Sequence, residues 1–426
     1  MLKTVNLGLQ YGSRKLFEHV DLQFNKGNCY GIIGANGAGK STFLKLLSGE
    51  LETTTGEIVI SKGERLSILK QDHYEFDDKR VIDVVIMGNT KLYEIMVEKD
   101  KMYQQTEFSE EDGMKLANLE AEFMDLDGWN AEPDAAQLLN NLGVPEDVHY
   151  MNMGDIPVKL RVKVLLAQAL FGNPDILLLD EPTNNLDAKA ARWLENFIAN
   201  FENTVLVVSH DRHFLNNVCT HICDVDFGKI NMYVGNYDFW YQSSQLALQQ
   251  LKDQNKKAEA KKKELETFIA RFSANLSKSR QATSRKKLLE KLNIEEIEPS
   301  TRRYPFVDFK ISRECGNDIL IVENLTKKPF FENLSFTVDK LDKIVFLSDN
   351  TLVTTTLFDV LMGKTEADSG TIKWGVTITS DYMPVDNSEY FNKKGMNMCD
   401  WIRQYSGDEQ TDTFVRGWLG RMLFSG

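Results

Sequence analysis

Residues 34–41 read GANGAGKS and match the pattern G-x-x-x-x-G-K-[ST]. In that pattern glycines let backbone N–H groups close around phosphates, the lysine reaches the β- and γ-phosphates, and the hydroxyl holds Mg²⁺. Tyr30-Gly31-Ile32-Ile33 before it is an apolar, strand-like tract, and Thr42-Phe43-Leu44-Lys45-Leu46-Leu47 after it has helical spacing. The loop therefore joins a strand to a helix whose start faces the phosphates. The competing reading is an ordinary glycine-rich turn. Gly34, Asn36, Gly37, Ala38, Gly39, Lys40, Ser41 and Thr42 are the candidate phosphate-loop contacts, with Ser41 also a candidate magnesium ligand.

A second anchor, residues 176–181, reads ILLLDE, four apolar residues ending in two carboxylates. A fully buried parallel strand has this pattern, and ligands of such sheets sit at the carboxyl ends of the strands. Asp180 would then hold Mg²⁺ through water, and Glu181 would orient or deprotonate an attacking water. Without the glycine loop, a strand ending in an exposed acidic turn would explain the same residues. The strand 204–208 delivers Ser209-His210-Asp211 to the same edge. Three consecutive residues cannot adopt the geometry of a Ser/His/Asp triad, so His210 is read as a γ-phosphate contact. Two isolated residues join the candidates. Tyr11 precedes an alternating strand, 16–24, and could stack on a base or pack as a strand-end tyrosine. Gln71 could reach a metal or a water. It follows two short strands, 56–60 and 66–69, that read as a hairpin.

The 426 residues, 42% hydrophobic and 27% charged, suffice for two or three packed domains. A net charge of −13 argues against a wholly basic nucleic-acid binder. Five cysteines, an odd and sparse set, fit reduced thiols in a cytoplasmic protein, and no apolar tract approaches a membrane span. Cys219, His221 and Cys223 lack a second ligand pair for a closed zinc site and read as buried structural residues. The acidic stretch 92–130 reads as two helical segments broken at Gly113, a solvated hairpin or else a partner-binding projection.

Taken together and in this order, Tyr11, GANGAGKS, Gln71, ILLLDE, the turn Asn184-Asn185-Leu186-Asp187 and His210 resemble the nucleotide-binding domain of ABC ATPases. The resemblance implies that Tyr11 stacks on adenine, that Gln71 senses Mg²⁺ and the attacking water, and that Asp187 lies on a turn facing a partner domain. One element departs from the family pattern. Where a Leu-Ser-Gly-Gly-Gln-like signature would open a helix, this chain has Ile156-Pro157-Val158-Lys159-Leu160, although the following helix, about 161–171, is kept.

From 240 to 299 the composition shifts to Gln, Lys, Glu and Ala with helical spacing broken near 273–279, which implies two antiparallel helices. Residues 252–291 carry thirteen Lys and Arg against five Asp and Glu, so the rest of the chain is strongly acidic. The stretch 268–292, FIARFSANLSKSRQATSRKKLLEKL, resembles the linker between the two ATPase domains of the ABC-F family, which act on ribosomes. Arg280, Arg285, Lys286 and Lys287, with Arg271 and Lys278 beside the turn, are the candidate contacts to RNA. A rigid spacer with solvated charges is the alternative.

Beyond the linker the first domain repeats at an offset of 314, read without a gap: Asn36 with Asn350, Gly49 with Gly363, Gly56 with Gly370, and Tyr11 with Leu325. Gly34, Gly37, Gly39, Lys40 and Ser41 become Ser348, Thr351, Val353, Thr354 and Thr355, so the second loop lacks both glycines and lysine and should not take ATP as the first does. The expected architecture is α/β: an ABC-type P-loop domain at 1–239, a basic helical hairpin at 240–305, and a degenerate second ABC domain at 306–426. Against the family pattern that last domain would be incomplete. The implied function is an ATP-binding and ATP-hydrolysing ABC-F-like protein, with ATP and Mg²⁺ as cofactors. The ribosome, with rRNA or tRNA, would be its partner, and no membrane insertion is expected. Alternatives are a subunit energising a membrane transporter and a nucleotide binder without turnover.

Overall fold

The computed structural model describes residues 1–12, 14–70, 72, 74–104, 109–184, 186–272, 284, 286–289, 302, 304–307, 314–348, 351–384, 387–392, 395–407 and 409–424. The chain divides into two compact units, Met1–Arg302 and Arg303–Gly426.

Unit 1 has the α/β architecture expected of its motifs. One sheet is antiparallel, with β1 (Leu2–Tyr11) flanked by β2 (Arg14–Phe24) and β4 (Thr55–Ile60). The other has six strands in the order β5 (Leu66–Ile68), β6 (Ile176–Asp180), β7 (Thr204–Val208), β3 (Cys29–Gly34), β8 (His221–Asp226) and β9 (Lys229–Val234). All neighbours in this sheet are parallel except β8 and β9. Alternation along the central strands divides the core. Ile176, Leu178, Leu206 and Val208 face a cluster shared with the antiparallel sheet and helix α1 (Lys40–Leu47). Leu177, Leu179, Val205 and Val207 face a second cluster. Its helices include α2 (Val81–Ile86), α5 (Ala131–Asn141), α6 (Val158–Leu170), α7 (Ala188–Ala199) and α8 (Arg212–Val218). Central parallel strands buried on both faces are apolar throughout, which is why ILLLDE was legible as a strand.

Two local readings are corrected. The segments 56–60 and 66–69 form no hairpin: β4 pairs with β1, whereas β5 pairs with β6 in the other sheet. In the acidic region the break precedes the carboxylates. After α3 (Thr90–Tyr103), α4 (Glu110–Asp125) starts at a capping box in which Ser109 and Asp112 satisfy each other's backbone N–H groups. Glu110, Glu111 and Asp112 occupy its first turn, where negative charge is favoured by the helix dipole, and Gly113 lies inside the helix. The linker's first helix, α9 (Tyr237–Phe272), runs 36 residues, roughly 54 Å at about 1.5 Å per residue. Most of the expected second helix lies outside the described residues.

In unit 2, β10 (Asp318–Lys327) is flanked by β11 (Phe331–Asp339) and β12 (Ser369–Trp374), the same arrangement as β1 between β2 and β4. Helix α10 (Thr351–Leu361) follows β11, and α11 (Met398–Arg403) and α12 (Asp412–Arg421) follow β12. The registers show that the repeat is gapped. Gly8 faces Thr55 and Thr326 faces Ser369, while Leu9 faces Phe17 and Lys327 faces Phe331. The offset of 314 thus holds for β2 and β4, but β1 requires 318. Backbone conformation agrees: the left-handed Asn6 matches Asn324, and the left-handed His19 matches Asn333. Leu325, which is fully buried, therefore corresponds to the equally buried Leu7 and not to Tyr11, which lies at the end of β1, where the gap falls. Residues 343–348, the counterpart of β3, form no strand.

Gly56 makes β4 fit against β1. Its φ is +77°, and a Cβ there would lie 2.2 Å from the Asn6 carbonyl oxygen and 2.4 Å from that of Val5. Gly49 has a similar φ of +80° but open space around it. Gly56→Ala should therefore cost about 2–4 kcal/mol, left-handed strain plus backbone overlap, and Gly49→Ala only about 1 kcal/mol. Urea denaturation midpoints of the two variants measure the difference, and equal midpoints would refute the close approach.

Candidate functional site

The site is built where β3, β6 and β7 end side by side. Residues 34–39 turn out of β3 into α1 through two glycines with positive φ, Gly37 at +75° and Gly39 at +101°. Gly34 leaves no room for a side chain, since a Cβ would lie 2.6 Å from the Val225 carbonyl oxygen on β8. Gly39 is the N-cap residue of α1 and supplies no side-chain cap, so the first-turn N–H groups form the floor of the loop, with Ser41 and Thr42 half-buried in that turn. The Lys40 side chain folds back across the loop. Its Nζ donates to the Gly34 carbonyl at 3.0 Å and the Ala35 carbonyl at 3.1 Å. Burial pulls its ammonium below the ordinary lysine value, while the charges of Glu181 and Asp180 oppose the shift and that of Arg302 adds to it.

At the end of β6, Asp180 pairs in register with Val208 of β7. Glu181 follows with a left-handed backbone, φ +50°, unusual for a residue with a Cβ. That turn brings its carboxylate to the end of β7, where Oε2 accepts the His210 backbone N–H at 3.3 Å. Oε1 is buried with no hydrogen-bond partner and lies 3.6 Å from His210 Nε2. Burial raises the Glu181 carboxyl above its ordinary value; the proximity of His210 and its backbone N–H oppose this. A strained backbone and an unsatisfied buried oxygen at one residue are costs that a fold retains where the group serves chemistry. Asp211 is committed elsewhere, capping α8 through the N–H groups of His213 and Phe214.

The sequence-derived candidates thus separate into those that meet and those that do not. Lys40, Asp180, Glu181 and His210 share one edge of one sheet. Tyr11 is exposed at the end of β1, where it pairs with Arg14. Gln71, Lys278, Arg280 and Arg285 lie outside the described residues. Arg271 is in the last turn of α9, and Lys286 and Lys287 are exposed on a short helical stretch at 286–289. The Cys219 and Cys223 side chains are buried, with Cys219 Sγ 4.0 Å from Cys29 Sγ. His221 packs its ring on Tyr30, 4.8 Å between centroids.

Several contributors were not apparent in sequence. A cavity of about 340 Å³ adjoins the outer side of the loop, walled by Lys15, Asn36, Gly37, Asp226 and Phe227 among others. Its far wall is the β8–β9 turn, which nothing local in the sequence connects to residues 34–41. At the departed signature, Arg161 of α6 is buried and holds the segment by donating to the Ile156 and Gly154 carbonyls and to Asp77 Oδ1, at 3.0, 2.7 and 2.8 Å. Lys163 lies 3.0 Å from Asp187, whose other oxygen caps α7. In unit 2, α10 starts at Thr351, the counterpart of Gly37, whereas α1 starts at Lys40. Thr351 and Val353, the counterparts of Gly37 and Gly39, are there wound into helix, and no equivalent glycine turn exists among the described residues.

A phosphate loop between a parallel strand and a helix, with paired carboxylates and a histidine at neighbouring strand ends, defines a P-loop nucleotide-binding protein of the ATP-binding-cassette class. The chain belongs to the family of ABC ATP-binding proteins. A family model described as ABC transporter matches residues 17–184, and a second of that description matches residues 223–309. The uncharacterized ABC transporter ATP-binding protein YkpA of Bacillus subtilis (strain 168) is 59% identical over 430 residues, spanning 100% of this chain and 80% of that protein. The probable ATP-binding protein YbiT of Escherichia coli O157:H7 is 43% identical over 429 residues, 100% of this chain and 81% of that one. The energy-dependent translational throttle protein EttA of Mycobacterium tuberculosis (strain CDC 1551 / Oshkosh) is 30% identical over 386 residues, 88% of this chain and 67% of that one. No helix among the described residues is long and apolar enough to cross a membrane.

Proposed function

We propose that this ABC protein is of the ABC-F type, that it binds one Mg-ATP in unit 1 and hydrolyses it there, and that it acts on the ribosome and tRNA in the cytoplasm. The observation that carries the ATP reading is the meeting of Lys40, Asp180, Glu181 and His210 at one sheet edge. The residues fit the group. Gly37 and Gly39 make a turn that side chains would strain, Lys40 offers a buried ammonium, and Glu181 Oε1 is a buried acceptor with no hydrogen-bond partner. Phosphate oxygens would replace the two carbonyls that Lys40 Nζ now contacts, and the first-turn N–H groups of α1 would donate to them. Ser41 and Asp180 would hold Mg²⁺, with Gln71, and the ion would supply neutralisation of phosphate charge. Tyr11 would stack on the base. Glu181, raised by burial, would hold and accept the proton of the attacking water, and His210 would fix the carboxylate through its N–H and contact the terminal phosphate.

The translation reading is supported by the relative named a translational throttle protein and by the basic stretch 252–291 within an acidic chain. Phosphate backbones would be attracted there, each neutralised phosphate steepening the salt dependence by about 0.7–0.9 logarithmic units. Arg271, Lys278, Arg280, Arg285, Lys286 and Lys287 are the proposed contacts. Charge reversal at Arg285, Lys286 and Lys287 should abolish co-sedimentation with ribosomes while leaving Mg-ATP affinity unchanged. Co-sedimentation that persists at the same salt concentration would reduce the basic stretch to a spacer.

A further inference from the structure

The wall of the cavity beside the phosphate loop carries a charge problem that a distant residue resolves. Asp224 and Asp226, two residues apart at the end of β8, are both buried, at 9% and 6% exposure. Two carboxylates in so dry a place repel one another and any anion brought beside them. Asp226 lines the cavity together with Asn36 and Gly37 of the loop, so that anion would be the phosphate chain. The compensating charge comes from Arg302, where the chain returns from the linker. Its Nη2 donates to Asp224 Oδ1, and its Nη1 lies 3.4 Å from Asp224 Oδ2 and 3.2 Å from Asp226 Oδ2. The other Asp226 oxygen accepts the Phe227 N–H at 3.0 Å, inside the turn that forms the cavity wall.

The same guanidinium lies over the indole of Trp240, 4.9 Å from the ring centroid. Trp240 is in the first turn of α9 and is buried against the helical core of unit 1. The chain thus leaves for the linker and comes back from it at one point, and that point is the cavity wall. Arg302 is also among the charges that influence Lys40, so the clasp and the phosphate loop share one electrostatic environment. A charge-assisted contact to two carboxylates with a stacked aromatic face is a task for arginine's planar fork.

We propose that Arg302 is a positioning residue of the nucleotide cavity. By neutralising Asp224 and Asp226 it makes the wall permissive for a polyanion, so ATP affinity in unit 1 depends on Arg302 being seated on the two carboxylates. This rests on the reading that the phosphate loop of unit 1 takes ATP. Whatever draws Arg302 off the two carboxylates weakens ATP binding, and by linkage bound ATP holds Arg302 in place.

The test is equilibrium titration of the full chain with Mg-ATP and Mg-ADP. Arg302→Gln should weaken ATP binding at least about tenfold, and ADP binding less, because the repulsion grows with the ligand's charge. Arg302→Lys, which keeps the charge, should stay within about threefold of wild type. Combining Asp224→Asn and Asp226→Asn with Arg302→Gln should restore affinity, since the two carboxylates that repel the phosphates are then neutral. Asp226→Asn alone, with Arg302 intact, should tighten ATP binding about threefold or more. This last variant leaves the arginine a partner in Asp224, and it carries the test should Arg302→Gln fail to fold. A merely structural clasp would give no rescue in the triple variant and no gain in Asp226→Asn, and either result overturns the proposal. Lys40→Ala is the control. If it binds ATP as wild type does, the ATP reading of the site fails; if it loses binding while Arg302→Gln does not, only the role of Arg302 fails.

Discussion

Replacing Lys40 by Ala is expected to weaken Mg-ATP binding by between about tenfold and somewhat over a hundredfold, the equivalent of a charge-assisted contact of about 1.5–3 kcal/mol. Its ammonium is buried, held by two carbonyls of its own loop, and shifted down by desolvation. A charge kept in so dry a position gains most when a phosphate replaces those neutral acceptors. Equilibrium titration measures the loss, and equal affinities in wild type and variant would remove unit 1 as the nucleotide site. The same titration should saturate at one ATP per chain. The second-unit helix begins where the first unit has Gly37, and Thr354 stands where unit 1 has Lys40. A stoichiometry of two would contradict that conclusion.

Glu181→Gln should reduce ATP turnover by about 10²–10⁴, the range over which a positioned general base contributes, while changing Mg-ATP affinity by less than about threefold. Phosphate released per chain, measured beside the affinity, separates the two effects, and turnover that survives the substitution would assign the base elsewhere. The same variant carries a second, independent signature. Burial raises the Glu181 carboxyl above its ordinary value. A carboxyl raised in the folded state binds its proton more tightly there than in the unfolded chain, so its ionised form at neutral pH destabilises the fold. The amide carries no such cost. The Tm of Glu181→Gln should exceed that of wild type at about pH 7–8, by about 2–4 °C for each kcal/mol recovered, and the difference should shrink as pH falls through the acidic range. An unchanged Tm at neutral pH would show that its surroundings already compensate the carboxylate.

The phosphate loop and the buried strand before Glu181 were legible from the residues because their information is local. Glycines at positive φ, a lysine at fixed spacing and an unbroken apolar run each report the conformation of the residues that carry them. The erosion of the second loop was legible for the same reason. Misreadings arose where a decision belonged to a distant partner. The strands at 55–60 and 66–68 are neighbours in sequence, yet each is recruited by a different sheet, through Leu2–Tyr11 in one case and Ile176–Asp180 in the other. The four-residue gap in the repeat falls in the connection between two strands, where loop length changes without disturbing either face. Only the registers reveal it.

By itself the sequence determined the class of chemistry, through residue types whose spacing a phosphate chain requires, and the doubly buried sheet that presents them. Tertiary structure alone decided how those groups are held. The left-handed turn at Glu181 and its meeting with His210 depend on β6 and β7 lying side by side. The seat of Arg302 on Asp224 and Asp226 joins residues 76 and 78 positions apart. No periodicity connects such residues. Their contact exists because a sheet edge and a returning chain leave two buried carboxylates in reach of one guanidinium, and an unpaired charge there is too costly to leave alone.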